Sequence, residues 1–120
     1  MSKIVVVEDS QADQQLIASY LKSASHTVVS YGSADKLEER LIIDRPDLIL
    51  LDVILPGRNG FQVCRDLKSD ERFKRIPVVL CTSKNQESDR FWGEQQGADG
   101  YVVKPFKATD LLAAVKRALG

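Results

Sequence analysis

The fold is indicated most clearly by the stretch Asp47-Leu-Ile-Leu-Leu-Asp52-Val-Ile-Leu-Pro56-Gly57-Arg-Asn-Gly60. It contains a carboxylate directly after a continuous apolar run. Leu48 to Leu51 shows no polar alternation, which is typical of a strand buried on both faces of a parallel sheet. Pro56-Gly57 and Asn59-Gly60 then predict a loop. Asp52 therefore stands at the carboxyl end of a central strand, the edge at which open α/β sheets place their ligand sites.

Four more segments rich in β-branched or apolar residues predict strands on either side of this stretch. They are Lys3–Val7, His26–Tyr31, Pro77–Cys81 and Tyr101–Val103. Apolar residues at helical spacing predict a helix after every strand. The predicted helices run from Ser10 to about Lys22, from Ser33 through Ile42, from Phe61 to Lys68, from Ser83 through Trp92, and from Ala108 to Leu119.

Polar residues in front of three helices predict where those helices begin. Ser10 and Asp13 have the spacing of a capping box, and Ser83 and Gln86 have the same spacing. Ser33 is the expected cap of the second helix. The residues of that helix that should face the core are Leu37, Leu41 and Ile42.

The fourth helix is the least amphipathic of the five. Phe91 and Trp92 are its only large apolar residues. It also contains Gly93, and a glycine inside a helix costs on the order of 1 kcal/mol relative to alanine. We therefore expect a marginal, movable element.

Five strands alternating with five helices predict a doubly wound α/β domain, (βα)5, around a five-stranded parallel sheet. Right-handed crossovers leave few topologies, and the flavodoxin-like strand order 2-1-3-4-5 is the expected one for 120 residues. That length suits one domain, so we predict a single domain over residues 1–120 without an output domain.

Composition excludes several classes of function. The 17 basic and 17 acidic residues cancel, so no overall field attracts nucleic acid or an anionic membrane. No apolar run approaches the roughly 18 residues of a membrane span, and no signal peptide is visible, so a cytoplasmic location is expected. Cys64 and Cys81 are interpreted as reduced core residues, and His26 cannot form a metal site alone.

The predicted strand order brings Glu8 and Asp9 beside Asp52 at one edge of the sheet. Clustered carboxylates repel one another, and a hard divalent cation with oxygen ligands neutralises them. Mg²⁺ fits best, since proteins hold it by one or two carboxylates together with substrate phosphate. Thr82 and Lys104 should face the same pocket, and a hydroxyl, an ammonium and Mg²⁺ around a carboxylate suit phosphoryl transfer.

Each of these residues also has an ordinary structural interpretation. Glu8 and Asp9 could be acids favoured by a helix amino terminus. Thr82 could be a capping hydroxyl, and Lys104 a solvated surface lysine. Taken together, however, they fall at the carboxyl ends of strands on one edge, so the structural interpretation would require four coincidences.

The same residues carry a resemblance to the receiver domains of response regulators, whose CheY-type members have the flavodoxin-like strand order. The matching positions are Glu8-Asp9, Asp52 with Pro56-Gly57 and Gly60, Thr82, Tyr101 and Lys104-Pro105. The resemblance implies that Asp52 accepts a phosphoryl group from a histidine kinase or a phosphotransfer domain. It also implies that Glu8, Asp9, Asp52 and the Ile54 carbonyl bind Mg²⁺, while Thr82 and Lys104 contact the phosphoryl oxygens.

The resemblance further implies a switch and an output surface. Tyr101 would turn inward as Thr82 moves, and the Lys104-Pro105 peptide bond would be cis. A downstream protein would bind the face made by the fourth helix, the fifth strand and the fifth helix, and a weak homodimer is left open. Such a protein is a phosphoacceptor rather than an enzyme, and neither nucleic acid nor membrane is an expected partner.

The resemblance also implies that two further positions tune the lifetime of the phosphoryl group. Ile54 and Lys84 lie two residues beyond Asp52 and Thr82. An apolar Ile54 gives an attacking water no side-chain help, and Lys84 can shield the product. We therefore predict slow self-dephosphorylation. Leu55 replaces a methionine that is common in the family, a volume-conserving exchange.

A finer resemblance lies in the segment from Lys84 to Ala98. It is similar to the fourth-helix region of PilH-type single-domain receivers, which are found with twitching-motility and phototaxis gene sets. This likeness implies a role in type IV pilus motility or phototaxis signalling.

Three other functions are compared with the receiver hypothesis. A flavodoxin-like FMN carrier should have a Ser/Thr/Gly-rich phosphate loop where this chain has Glu8-Asp9, and acids there disfavour an anion. An aspartyl-phosphate hydrolase should have a second acid two residues after the nucleophile, where Ile54 stands. An interaction module that is not phosphorylated should lack the acidic pocket or the lysine.

Overall fold

The computed structural model describes residues 1–120 as five strands and five helices that alternate along the chain. The strands are β1 (Lys3–Val7), β2 (Thr27–Tyr31), β3 (Leu48–Leu51), β4 (Val78–Thr82) and β5 (Gly100–Val103). The helices are α1 (Gln11–Ser23), α2 (Leu37–Asp44), α3 (Gly60–Ser69), α4 (Glu87–Gln95) and α5 (Ala108–Leu119).

All neighbouring strands are parallel, and the sheet order is β2-β1-β3-β4-β5. This confirms the predicted doubly wound, flavodoxin-like architecture. The register pairs Val7 with Leu51 across β1 and β3, and Leu51 with Leu80 across β3 and β4. Because β1 and β3 end level with each other and β4 continues to Thr82, two residues beyond Leu80, the polar residues at these strand ends meet at one edge of the sheet.

The sheet is packed on both faces, and the alternation of side chains along each strand divides the core in two. On one face, Val5, Val7, Ile49 and Leu51 pack with α2 and α3 residues such as Leu41 and Leu67. On the opposite face, the packed residues include Ile4, Val6, Leu48, Leu50, Ile17 of α1 and Leu111 of α5. Continuous apolar strands are therefore required, which explains the run from Leu48 to Leu51.

Two helix starts were predicted wrongly. Helix α2 begins at Leu37 after Lys36, which has a left-handed backbone with φ of 53°, and Ser33 instead accepts a hydrogen bond from the Asp35 N–H. Helix α4 begins at Glu87, where the Gln86 N–H donates to the Asp89 carboxylate at 3.1 Å. Each helix therefore begins three residues later than its predicted serine cap implies, with Lys36 and Gln86 at the cap positions instead of Ser33 and Ser83.

One predicted core residue of α2 is also wrong. Leu37 and Leu41 are buried, as predicted, but the Ile42 side chain is 45% exposed. Leu37 and Leu41 are four residues apart and share one stripe of the helix, whereas Ile42 is rotated by about 100° from Leu41. A helix of eight residues therefore buries a narrower stripe than its apolar content suggests.

Helix α4 buries little of itself, which agrees with its weak amphipathicity. Phe91 and Trp92 are 60% and 51% exposed, and Gly93 is its only buried residue. A Cβ atom at Gly93 would stand 3.1 Å from both Leu80 Cδ1 and Tyr101 Cδ2. The glycine therefore lets α4 approach β4 and β5 closely, which is a packing reason for a residue that weakens the helix.

Both cysteines are free and buried, as predicted. Burial raises the pKa of the Cys64 thiol to about 11 and that of Cys81 to about 12. Both thiols therefore stay protonated near neutral pH and are unreactive. None of the five helices combines the length and the apolar character that crossing a membrane requires.

Gly60 holds the start of α3 against the end of β3. Its N–H donates to the Val53 carbonyl at 2.8 Å. A Cβ atom at this position would overlap the Asp52 carbonyl oxygen and Val53 Cα, which belong to the backbone and cannot rotate away. Only glycine therefore allows this approach.

We predict that Gly60→Ala lowers the free energy of unfolding by about 1–3 kcal/mol, the usual cost of overpacking a tight site. Urea denaturation followed by circular dichroism measures the loss. Gly32→Ala is the matched control, because a Cβ there would lie 3.9 Å from the nearest atom, Gln14 Nε2. Equal stability of the two variants would contradict the packing role of Gly60.

Candidate functional site

The polar residues that were predicted to form a site lie at the ends of the strands. Glu8 follows β1, Asp52 follows β3, Thr82 is the last residue of β4, and Lys104 follows β5. Carboxylate oxygens of Glu8, Asp9 and Asp52 all lie within 4.8 Å of one another. More than forty residues separate Asp9 from Asp52, so this cluster is a product of the parallel register.

Asp52 is a buried carboxylate with both oxygens engaged. Its exposed fraction is 6%. Oδ1 accepts a hydrogen bond from the Ile54 N–H at 3.0 Å, and Oδ2 lies 2.8 Å from Lys104 Nζ. These two contacts fix the orientation of the carboxylate at the sheet edge.

Lys104 lies at the centre of the site, and its ammonium contacts three carboxylates. Besides Asp52, Nζ contacts Glu8 and lies 2.9 Å from Asp13 Oδ2. The lysine precedes a cis peptide bond to Pro105, and its side chain is 15% exposed. One cation is therefore shared among carboxylates from β1, α1 and β3.

Asp13 also belongs to the site, although its sequence position had predicted only a capping role. It was predicted to close a capping box, and its N–H does donate to Ser10 Oγ at 3.3 Å. Its carboxylate, however, binds Lys104, while the Ser10 N–H donates to Glu8 at 3.1 Å. The available signal was its place in the first turn of α1, a few residues after Glu8 and Asp9.

Burial and the shared ammonium shift pKa values in the site. Burial raises the pKa of Glu8 to about 7, although hydrogen bonds from Lys104 and the Ser10 N–H oppose the shift. For Lys104, burial alone would lower the pKa, but hydrogen bonds to Asp52, Glu8 and Asp13 outweigh it and raise the value. The lysine is therefore cationic at any physiological pH, and Glu8 titrates near neutrality.

Thr82 and Tyr101 both form hydrogen bonds with the backbone of Lys84 rather than with the carboxylates. The fully buried Thr82 hydroxyl accepts a hydrogen bond from the Lys84 N–H at 3.4 Å. The Tyr101 hydroxyl donates to the Lys84 carbonyl at 2.8 Å, and the Arg90 guanidinium lies 5.3 Å from the Tyr101 ring centroid. The strand end at Thr82, the loop after it and the Tyr101 ring are thus joined by hydrogen bonds.

The two predicted lifetime-tuning residues flank the site without touching the acids through their side chains. Ile54 is 53% exposed, and its N–H donates a hydrogen bond to the Asp52 carboxylate. Lys84 Nζ lies 4.0 Å from Asp89 Oδ1 on α4. Both residues therefore stand at the rim of the pocket.

Arg58 anchors the loop that follows Asp52, a role that the sequence analysis did not predict. Its guanidinium makes two hydrogen bonds to Glu38, at 3.0 and 3.2 Å, and one to Asp66 at 3.2 Å. It also donates to the Ala34 carbonyl at 3.3 Å. The loop is therefore tied to both α2 and α3, and no local sequence pattern signals these long-range contacts.

The donor set at the sheet edge fits a hard divalent cation. Glu8, Asp9 and Asp52 offer carboxylate oxygens at close spacing and no softer ligand. Oxygen-only donors at the mouth of a pocket suit Mg²⁺, which retains several waters. Asp9 is exposed, so the cluster is open to solvent on its side.

Comparison with known proteins places the chain among proteins of one family. The profile of the response regulator receiver domain matches residues 4–116. The chain is 34% identical to Protein PilH of Pseudomonas aeruginosa over 119 residues, which cover 99% of this chain and 98% of PilH. It is 40% identical over 119 residues to the phosphate regulon transcriptional regulatory protein PhoB of Rhizobium meliloti, but covers only 52% of that protein.

A solved structure with the same fold contains a magnesium ion. The receiver domain of the sensor histidine kinase PA1611 from Pseudomonas aeruginosa superimposes with a TM-score of 0.88 at 28% identity. The alignment covers 99% of this chain and 98% of that one, and a magnesium ion is coordinated in its active-site cleft.

The raised pKa of Glu8 predicts a pH-dependent stability in Mg²⁺-free buffer. The folded protein holds the Glu8 proton more tightly than the unfolded chain, whose ordinary value is 4.5. The stabilisation that this proton gives the folded state is fully present below pH 4.5 and is lost as the pH rises to about 7. We expect the free energy of unfolding to fall by about 2 kcal/mol between about pH 5 and 8 in EDTA.

Urea denaturation at each pH measures this effect, and Glu8→Gln is the matched variant because it cannot titrate. Groups that do not contact Glu8 titrate equally in both proteins, so the difference between the two pH profiles reports Glu8 together with the neighbours that it contacts. Parallel profiles for the two proteins would contradict the shift.

Proposed function

The chain belongs to the response regulator receiver domain family, a family of phosphoacceptors in two-component signalling, and on that premise we propose that Asp52 is the phosphoacceptor. The observation that carries the proposal is the buried Asp52 carboxylate, 2.8 Å from the Lys104 ammonium and within 4.8 Å of Glu8 and Asp9 oxygens. The donor would be the phosphohistidine of a histidine kinase or a phosphotransfer domain.

In the proposed reaction, one Asp52 carboxylate oxygen attacks phosphorus while the bond to the histidine nitrogen breaks and that nitrogen keeps the electron pair. Lys104 balances negative charge on the phosphoryl oxygens, because its ammonium already lies beside Asp52. Glu8, Asp9, Asp52 and the Ile54 carbonyl would hold Mg²⁺, which neutralises phosphoryl charge when bound.

The product would be sensed through the residues that meet at Lys84. An aspartyl phosphate adds negative charge, and the Thr82 hydroxyl is an uncharged donor at the end of the adjoining strand β4. A move of Thr82 alters the Lys84 segment, whose carbonyl accepts the Tyr101 hydroxyl. Tyr101 packs on Gly93 of the weakly buried α4, so the face of α4, β5 and α5 changes with it.

Such a switch requires only a modest difference in free energy. Coupling between two sites typically amounts to about 1–3 kcal/mol. Helix α4 buries only Gly93, so a small energy suffices to move it. We propose that a downstream protein binds this face in the phosphorylated state and that neither nucleic acid nor membrane is a partner of this domain.

The pathway proposed for this chain is type IV pilus motility or phototaxis signalling in the cytoplasm. The likeness to PilH over nearly the full length of both chains supports it, as does the resemblance of the segment from Lys84 to Ala98. The transcriptional regulators that also match are about twice as long as the matched region.

Asp52→Ala is expected to abolish labelling by acetyl phosphate in Mg²⁺, because the attacking oxygen is removed. Intact-mass spectrometry measures the added phosphoryl group. The matched control is Asp47→Ala, which removes a carboxylate at the opposite end of β3 that accepts the Lys3 N–H at 2.8 Å. Mg²⁺-dependent labelling that persists in folded Asp52→Ala would refute the assignment.

The same substitution tests the pathway. A source strain carrying Asp52→Ala should lose normal pilus-dependent surface movement while making the protein at wild-type levels. Unchanged movement would exclude this pathway without affecting the assignment of the phosphoacceptor.

Self-dephosphorylation is expected to be slow, with a phosphoryl lifetime of minutes or longer. The Ile54 side chain supplies no hydrogen-bonding group to an attacking water, although it is exposed at the rim. Removal of acetyl phosphate followed by timed intact-mass measurement gives the lifetime. Ile54→Asn should shorten it, since an amide can orient water, and a wild-type lifetime of seconds would contradict the proposal.

A further inference from the structure

The Lys104 ammonium has no hydrogen-bond donor to spare. An ammonium carries three N–H groups, and here they contact Glu8, Asp13 and Asp52. A phosphoryl oxygen can therefore be bound by Lys104 only if one of these carboxylates releases it. The identity of that carboxylate decides how easily the site accepts a phosphoryl group.

Exposure distinguishes the three carboxylates. The side chains of Glu8 and Asp52 are 3% and 7% exposed, whereas that of Asp13 is 40% exposed. A buried carboxylate that loses its cation suffers the full cost of desolvation, but a released Asp13 is solvated by water. The contact between Asp13 and Lys104 is therefore the one that breaks at least cost.

Asp13 also adds negative charge where a phosphodonor arrives. It lies on the first turn of α1 and reaches the ammonium from the solvent side of the pocket. Glu8, Asp13 and Asp52 contact the lysine, and Asp9 adds a fourth carboxylate beside Glu8 and Asp52. Like charge at the mouth of a pocket slows the approach of an anion.

We infer that Asp13 is a positioning residue that restrains phosphorylation, because its carboxylate competes with the incoming phosphoryl group for Lys104. This inference rests on the proposed function of Asp52. It assigns to α1 a part in setting the phosphorylation rate, in addition to its packing on the sheet.

The test compares Asp13→Asn, which removes the charge but keeps the shape, with Asp13→Glu, which keeps the charge. Asp110→Asn is the matched control, since Asp110 occupies the same helical position in α5 and its carboxylate accepts a hydrogen bond from the Lys107 N–H instead of binding a cation. Circular dichroism verifies that each variant is folded. The labelling rate with acetyl phosphate in Mg²⁺ is then measured by intact mass.

We expect Asp13→Asn to be labelled roughly three- to tenfold faster than the wild type, the range expected for one removed charge at this separation. Asp13→Glu and Asp110→Asn should stay within about twofold. The acceleration should shrink as salt is added, because an exposed charge is screened. A purely structural role for Asp13 would not produce this salt dependence.

A second readout needs neither Mg²⁺ nor phosphorylation. Acylation of Lys104 by an amine-reactive ester, measured by peptide mass spectrometry in EDTA, should be severalfold faster in Asp13→Asn because one carboxylate no longer holds the amine. Labelling and acylation rates equal to or below those of the wild type would overturn the inference. If the wild type itself cannot be phosphorylated, the proposed function fails, and the acylation rate alone decides the role of Asp13.

Discussion

The shared Lys104 ammonium is the interaction on which the site depends. Glu8 and Asp52 are both buried, and two buried carboxylates at close range would repel each other and lose their hydration. Lys104 offsets both penalties at once, since its ammonium contacts each of them. It reaches them from the end of β5, which β3 and β4 separate from β1, so the site forms only when β1, β3, β4 and β5 are assembled.

The rest of the fold positions these groups by simple means. A parallel sheet packed on both faces aligns the ends of β1, β3 and β4 at one edge. Gly60 brings α3 against the Asp52 backbone, and Arg58 ties the intervening loop to α2 and α3. The acid pocket therefore lies on rigid elements, which suits a group that must attack in a fixed geometry.

The opposite side of the pocket is built more loosely. Thr82, Lys84 and Tyr101 are joined by two hydrogen bonds, and α4 contributes one buried glycine to the core. Few buried contacts mean a low local stability, and switching elements are drawn from such regions. A rigid acceptor beside a weakly held helix is the arrangement that a phosphorylation-driven change of surface requires.

The elements, their order and most of the acid site could be predicted from the sequence, because local apolar runs such as Leu48 to Leu51 indicate buried strands and where they end. Glu8, Asp52, Thr82 and Lys104 were predicted at the correct edge of the sheet. The starts of α2 and α4 could not be predicted, because several polar residues were plausible caps, and neither could the exposure of Ile42. The contact of the Asp13 carboxylate with Lys104 and the bridge that Arg58 makes between two helices are visible in the folded protein alone. Those contacts join residues distant in sequence, and their energies depend on burial and charge that no local pattern contains.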